Sequence, residues 1–196
     1  MARYTGPKWR VSRRENYDVY GDPSWRRRNS LPGQHPTSKG RSSNYSLQFR
    51  EKQKVKRMYG MLERQFRKTY QHASKETGNT GLRLLQLLEL RLDNVVYKMG
   101  LAKSIFQARQ FVCHGLITVN NKKVDIPSYT TKVGEVVEYK VKFAKSTTVN
   151  MIETENKAAK RQTPKWLENG KVSMLPTRDM IDQGIREKMI IELYSR

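Results

Sequence analysis

Apolar residues recur at three- and four-residue spacing through the middle of this chain and alternate with polar ones only in short runs beyond it. From residue 44 onward Val55, Met58 and Tyr59, then Leu62, Phe66 and Tyr70, form a helical stripe, with a bend expected at Gly60. Leu82, Leu85, Leu88 and Leu92, supported by Leu84 and Leu87, predict the most buried helix of the chain. Leu92, Val95, Val96 and Met99 then share one face up to a stop at Gly100. Ser104 is placed to cap a further helix that buries Ile105, Ala108 and Val112, with Phe111 at its edge. After Gly115 the period changes to two. Residues 116–119 have strand chemistry, Asn120-Asn121 is a turn that tolerates positive φ, and Lys122, Lys123 and Val124 return to complete a hairpin. Val133-Gly134-Glu135 reads as the turn into a last strand over 136–143, where Val137, Tyr139, Val141 and Phe143 alternate with Glu138, Lys140 and Lys142. The class is α+β: a helical domain, then two helices with a small antiparallel sheet.

The two ends are less periodic. Residues 1–43 hold few apolar positions and are punctuated by Gly6-Pro7, Asp22-Pro23 and Pro32-Gly33, so alone in water they should be largely disordered. Residues 145–163 are polar and mixed in charge, compatible with a strand end followed by a frayed helix or with a linker. Trp166 and Leu167 look like an anchor, 172–175 like a short strand, and 189–194 like an apolar strand or helix. The division expected is an extended basic arm over 1–43, a helical domain over 44–90, the two-helix and hairpin module over 91–145, and a C-terminal extension over 146–196 strapped across the other two.

Charge changes the picture most. Thirty-nine Lys and Arg stand against 18 Asp and Glu in 196 residues, a net +21 that repels itself in a compact fold and calls for a polyanionic partner. The first 70 residues hold eighteen basic and five acidic residues, a balance of +13, so much of the cationic surface lies outside the module. Catalytic chemistry finds no footing. His35, His72 and His114 are far apart in sequence, no Ser or Cys lies in a nucleophile motif, and no paired carboxylates accompany a Gly-rich phosphate loop. The lone Cys113 excludes a disulfide framework and a zinc quartet. The most apolar stretch, 82–92, is interrupted by Arg83, Gln86, Glu89 and Arg91, and no apolar leader is present, so a soluble cytoplasmic chain is expected.

Candidate contacts to the polyanion are the basic positions together with polar and aromatic residues set among them. In the arm they are Arg3, Tyr4, Arg13, Arg14, Arg26, Arg27, Arg28, Gln34, His35 and Arg41, the arginines being interleaved with Trp9, Tyr17, Tyr20 and Trp25, which pairs phosphate-binding charge with rings for unstacked bases. On the following helices they are Arg50, Lys52, Lys54, Arg57, Arg64 and Arg67, with only Glu51 and Glu63 to neutralise them. In the module they are Arg91, Lys103, Gln107, Arg109, His114 and the hairpin-tip Lys122 and Lys123. Asp93, acidic at a helix start, suits the N-terminal dipole and is placed to orient Arg91 or Arg109.

The order helix, helix, hairpin, with RLDNVVY, QARQFV, HGLITVN, KKVDIPS and VGEVVE, resembles the S-four-type RNA-binding module. MARYTGPKWRVSRRE at the start, PGQH at 32–35, NYSLQFREKQKVKRMYGMLERQFRKTY at 44–70, GNTG at 78–81 and IIELYSR at the end are each similar to the small-subunit ribosomal protein S-four family of bacteria and organelles. What the resemblance implies is a structural, non-enzymatic protein of the small subunit. It would bind the 5′ domain of 16S-type rRNA at a multi-helix junction early in assembly, with the S-three and S-five proteins as neighbours, close to where mRNA enters and with a part in translational accuracy. Some relatives carry a cysteine-ligated zinc in the arm, and this arm has no cysteine, so no metal or other cofactor is expected. The family often has arginines where this chain has Lys103-Ser104-Ile105-Phe106, which leaves Lys103 to supply the charge. Asn121 stands in place of the usual turn glycine. The rival classes are an RNA-modifying enzyme, for which the chain beyond the module lacks length and residues, and a general polyanion binder, which would not distinguish one folded RNA from another.

Overall fold

The computed structural model describes residues 4–28, 30–36, 43–158, 163–168 and 170–195. Its contacts divide the chain into two compact units, residues 1–81 with 184–196, and residues 82–183. The expected four-part division cuts the chain differently. Residues up to 183 in the C-terminal extension belong to the second unit, and the terminal helix belongs to the first.

In the first unit α1 (Lys8–Glu15) and a 3-10 turn (Pro23–Arg27) precede two longer helices, α2 (Asn44–Met58) and α3 (Glu63–Lys75). The Ser43 hydroxyl caps α2 by accepting the Ser46 N–H at 3.2 Å. Gly60, at φ +57, ends the helical path, so the bend expected there is a break between two helices, with Tyr59 and Met61 buried on either side. The last helix of the chain, α9 (Glu187–Tyr194), completes this unit: Gln48 of α2 donates to Glu192 at 2.8 Å, and the Tyr194 ring stacks on Tyr70 at 4.6 Å between centroids.

The N-terminal segment, expected to lack structure on its own, is held here by local chemistry. Val11 and Ser12 are buried on α1, and the Ser12 hydroxyl accepts the Val19 N–H. Asp18 accepts the N–H groups of Tyr20 and Asp22, while Asp22 accepts that of Ser24 and so caps the 3-10 turn. Arg13 and Arg14 donate to the carbonyls of Ser30 and Pro32 at 3.2 and 3.3 Å, tying the loop back to α1. One stripe residue and a serine are too weak a pattern to read as a helix, which is why periodicity passes over α1.

The second unit begins within α4 (Thr80–Glu89), whose Leu84, Leu85 and Leu88 are fully buried, followed by α5 (Leu92–Lys98) and α6 (Ile105–Cys113). β1 (Ile117–Val119) lies between β2 (Lys122–Lys123) and β3 (Val137–Tyr139), antiparallel to both, with Thr118 opposite Lys123 and Glu138. Asn120 and Asn121 take φ +48 and +63 in the turn. The core joins Leu92, Val95, Val96, Ala108, Val112, Ile117 and Val137 to Ile152, Trp166 and Val172 from the C-terminal segment. These last come from α8 (Thr147–Ala158) and a small hairpin of β4 (Leu167–Glu168) with β5 (Lys171–Val172). A 3-10 turn at Arg178–Met180 ends this unit.

The strand expected over 136–143 stops at Tyr139, and α7 (Val141–Ala144) is one helical turn. Extended, Tyr139 and Phe143 would be separated by roughly 13 Å. Turned, their rings meet edge to face at 5.6 Å and Phe143 reaches Phe111 at 5.2 Å. Val141 is left 76% exposed as a result.

Candidate nucleic-acid interface

Carboxylates set in or against the core decide which cations are available to a ligand. In the second unit Asp93 is fully buried and shared by two arginines: Arg91 reaches both of its oxygens at 3.1 and 2.9 Å, and Arg109 donates from Nε and Nη2 at 3.0 and 2.5 Å. Its Oδ1 also accepts the Asn94 N–H at 3.0 Å. A carboxylate in this position satisfies its desolvation only through such charge-assisted bonds. Both expected partners of Asp93 are therefore engaged at once, and Arg91, buried itself, is a packing residue rather than the phosphate contact expected of it.

The first unit repeats the arrangement. The side chain of Glu15, at the end of α1, is 1% exposed and accepts from Arg57 and, at 3.3 Å, from Arg50, both of α2. Burial pushes its carboxyl above the usual value, while the two guanidinium groups pull the other way. Glu63, at the start of α3, takes Lys52 at 2.7 Å and Lys56 at 3.0 Å from α2 and accepts the Tyr194 hydroxyl at 3.0 Å. Partial burial raises its carboxyl, but these three donors prevail and hold it down at about 2. Lys54 is buried, donating to Glu51 at 2.7 Å and to the Gly184 carbonyl at 2.6 Å, with the Tyr17 ring 4.9 Å away. Lys52 lies over Phe49 and Tyr194. Lys52 and Lys54, expected on a phosphate-facing helix surface, thus have their charge turned inward, and Arg50 and Arg57 spend theirs on Glu15.

What remains outward is more selective than the candidate set. On α3, Arg64, Lys68 and Lys75 lie at spacings of four and seven, on one exposed helical face, with Arg67 beside them, and none has a carboxylate partner among the described residues. Opposite them Phe66 and Ala73 are buried. In the arm Arg10, Arg14, Arg26, Arg27, Arg28, Gln34 and His35 are exposed, and Tyr4 is 45% exposed. Arg3 and Arg41 fall outside the described residues. Lys75 and Arg10 lie outside the candidate set; for Arg10 the signal is its four-residue spacing to Arg14.

In the module Ser104 accepts the Gln107 N–H while Gln107 Oε1 accepts the Lys103 N–H at 2.8 Å, so Gln107 serves the helix start rather than an outside ligand. Lys103 meets Glu155 at 2.5 Å in an exposed pair, which is weakly held. At the other end of α6, His114 is exposed and Gly115 turns at φ +64. A Cβ on Gly115 would lie 2.2 Å from Lys123 Cε, so the hairpin folds its lysine stem across this glycine. Lys122 and Lys123 are exposed on the same hairpin, with Asp125 3.7 Å from Lys123. A helix end with an exposed imidazole and two lysines makes a small cationic edge.

Residues 3–89 match the model of the ribosomal protein S4/S9 N-terminal domain, and residues 90–137 match that of the S4 domain. Over the full length of both chains the sequence is 50% identical to small ribosomal subunit protein uS4 of Acetivibrio thermocellus, 49% to that of Clostridioides difficile and 48% to that of Opitutus terrae. The chain belongs to the uS4 family. In this uS4 chain the two matched regions meet at residues 89 and 90, inside the buried run from Leu88 to Val96 that includes Asp93 and its arginine Arg91. No helix among the described residues is long and apolar enough to cross a membrane, and no three His, Cys, Asp or Glu side chains among them could hold a metal.

Two outcomes follow. Asp93→Ala leaves Arg91 buried without its carboxylate and should lower the unfolding free energy by about 3–5 kcal/mol in urea melts. For Glu63 the folded value of about 2 lies below the ordinary 4.5, so its contribution is complete above pH 4.5 and is lost as the pH falls through 2. Glu63→Gln should accordingly be less stable at neutral pH and lose less stability than the parent across that acid window, as read from thermal melts.

Proposed function

We propose that this protein is a non-enzymatic structural constituent of the small ribosomal subunit that binds its rRNA, and works in the cytoplasm. The observation that carries the reading is full-length identity of about one half to proteins named for that subunit. The physical arrangement supports it: a net +21 with the interior cations neutralised and the rest turned outward suits a large polyanion.

The finer reading is that the RNA is the 5′ domain of 16S-type rRNA, bound at a multi-helix junction early in assembly. In the finished subunit the protein lies near where mRNA enters, beside the S-three and S-five proteins, and contributes to translational accuracy through the S-five contact. Exposed Arg64, Arg67 and Lys68 of α3, Arg14 and Arg26 to Arg28 of the arm, and Lys122 and Lys123 of the hairpin meet phosphates, while the paired Lys52, Lys54, Arg91 and Arg109 hold the surfaces that present them. His35 and Gln34 lie on the exposed loop next to these arginines and add hydrogen bonds to the same RNA.

Filter binding against a transcript of the 5′ domain, a scrambled RNA of equal length, duplex DNA and anionic vesicles tests this. A preference for the transcript of at least about a thousand-fold is expected, in line with specific over non-specific nucleic-acid binding. Equal binding to all four polyanions would make the protein a general cation surface and end the proposal.

A further inference from the structure

Between α1 and the 3-10 turn lies a cavity of about 410 Å³ lined by Trp9, Arg13, Ser24, Trp25, Arg27 and Arg28. Two of the three tryptophans of the chain are here, the third, Trp166, being a core residue of the second unit. Trp9 is 53% exposed, so its indole is not placed there to fill a core. The indole N–H of Trp25 and the Nε–H of Arg13 are shut off from water and have no acceptor among the described residues. Arg13 meanwhile uses another of its nitrogens on the Ser30 carbonyl. Buried donors without partners are rare, and two that belong to residues lining one cavity mark a wall whose side chains must shift for a ligand's acceptor atoms to reach them.

The chemistry of the wall restricts what can supply them. Flat rings ask for a planar group, the two unmet donors ask for acceptor oxygens or nitrogens, and the guanidinium groups of Arg27 and Arg28, with no carboxylate in the lining, ask for an anion. A nucleotide has all three. The volume falls within the range of roughly 300–1,000 Å³ in which small-molecule sites occur. The exposed Arg26 places its guanidinium 5.6 Å from the Trp25 ring, and Arg10 and Arg14, one residue along α1 from Trp9 and Arg13, are exposed in the wall of a second cavity, so the positive charge exceeds what one phosphate can meet. The ligand therefore continues as a chain. We propose that this cavity receives one unstacked nucleotide of the bound RNA, with its base against Trp9, its acceptor atoms on Trp25 Nε1 and Arg13 Nε, and its phosphate at Arg27 and Arg28. The proposal deepens the rRNA-binding reading and rests on it for the identity of the RNA.

The test uses the full chain and three probes: the 5′-domain transcript, a single-stranded RNA pentanucleotide, and AMP or UMP. Tryptophan emission reports stacking, with Trp166 as a constant background. Transcript and pentanucleotide should both quench the emission. Trp9→Ala, at an exposed position and so safe for folding, should lose most of the quench and weaken transcript binding by about 5- to 100-fold, the effect of removing one stacking ring. Trp25→Phe keeps a ring and removes the donor, and should weaken binding while retaining quench through Trp9. If the transcript binds with full preference and both variants match the parent in affinity and quench, the cavity holds no base and this proposal falls alone. If the pentanucleotide quenches in a Trp9-dependent way but the transcript is not preferred, the cavity stands and the ribosomal reading falls. Mononucleotides binding as tightly as the pentanucleotide would assign the cavity to a diffusible nucleotide and overturn the RNA assignment.

Discussion

A single buried carboxylate between two guanidinium groups is the arrangement on which both units of this protein depend. Asp93 holds Arg91 and Arg109 in the module, and Glu15 holds Arg50 and Arg57 in the helical unit. With 39 basic and 18 acidic residues, a fold cannot pair its cations one to one. Placing scarce acids where each serves two bases neutralises the interior, and exposed cations such as Arg64, Arg67 and Lys68 are left facing solvent and ligand. Removing Asp93 strands the buried Arg91 and the largely buried Arg109, which is costlier than losing any one surface pair.

That partition gives the surfaces their character. α3 is buried through Phe66 and Ala73 and anchored by Glu63 to two lysines of α2, so its opposite face is held as a fixed row of cations. The hairpin is fixed by φ-positive asparagines at its tip and by a lysine stem laid over Gly115. In the arm, carboxylate-capped turns and arginine-to-carbonyl bonds give a short basic segment with almost no apolar core a defined shape. Rigid placement of charge distinguishes a protein that reads one RNA fold from one that merely adheres to polyanions.

Much of this was legible before any coordinates. The stripes of α5 and α6, the Ser104 cap and the Asn120-Asn121 turn rest on neighbours within four residues, and local pattern finds such features. Asp93 was also legible, because its helix-start position and the nearby arginines point to one another. Lys52 and Lys54 were not. The acid that claims Lys52 is eleven residues away, and Lys54 is closed in by Tyr17 and by the Gly184 carbonyl, 130 positions on, so no local charge count reveals their burial. The end of β3 was misread for a related reason, since the aromatic cluster that curls residues 141–144 includes Phe111 from a different element. α8 carries its signal in Val149 and Ile152 alone, both fully inside, with Asn156 bonded to the Gly100 carbonyl at 2.6 Å.

The salt dependence of RNA affinity tests the division of cations most directly, because its slope counts phosphates neutralised at roughly 0.9 each on a duplex. For the transcript of the 5′ rRNA domain, a double variant Arg64→Ala with Arg67→Ala should lose about one to two units of slope. Lys54→Met, although less stable, should keep the parental slope. A Lys54→Met slope reduced as much as that of the double variant would show that the inward cations meet RNA as well, and the partition described here would be wrong.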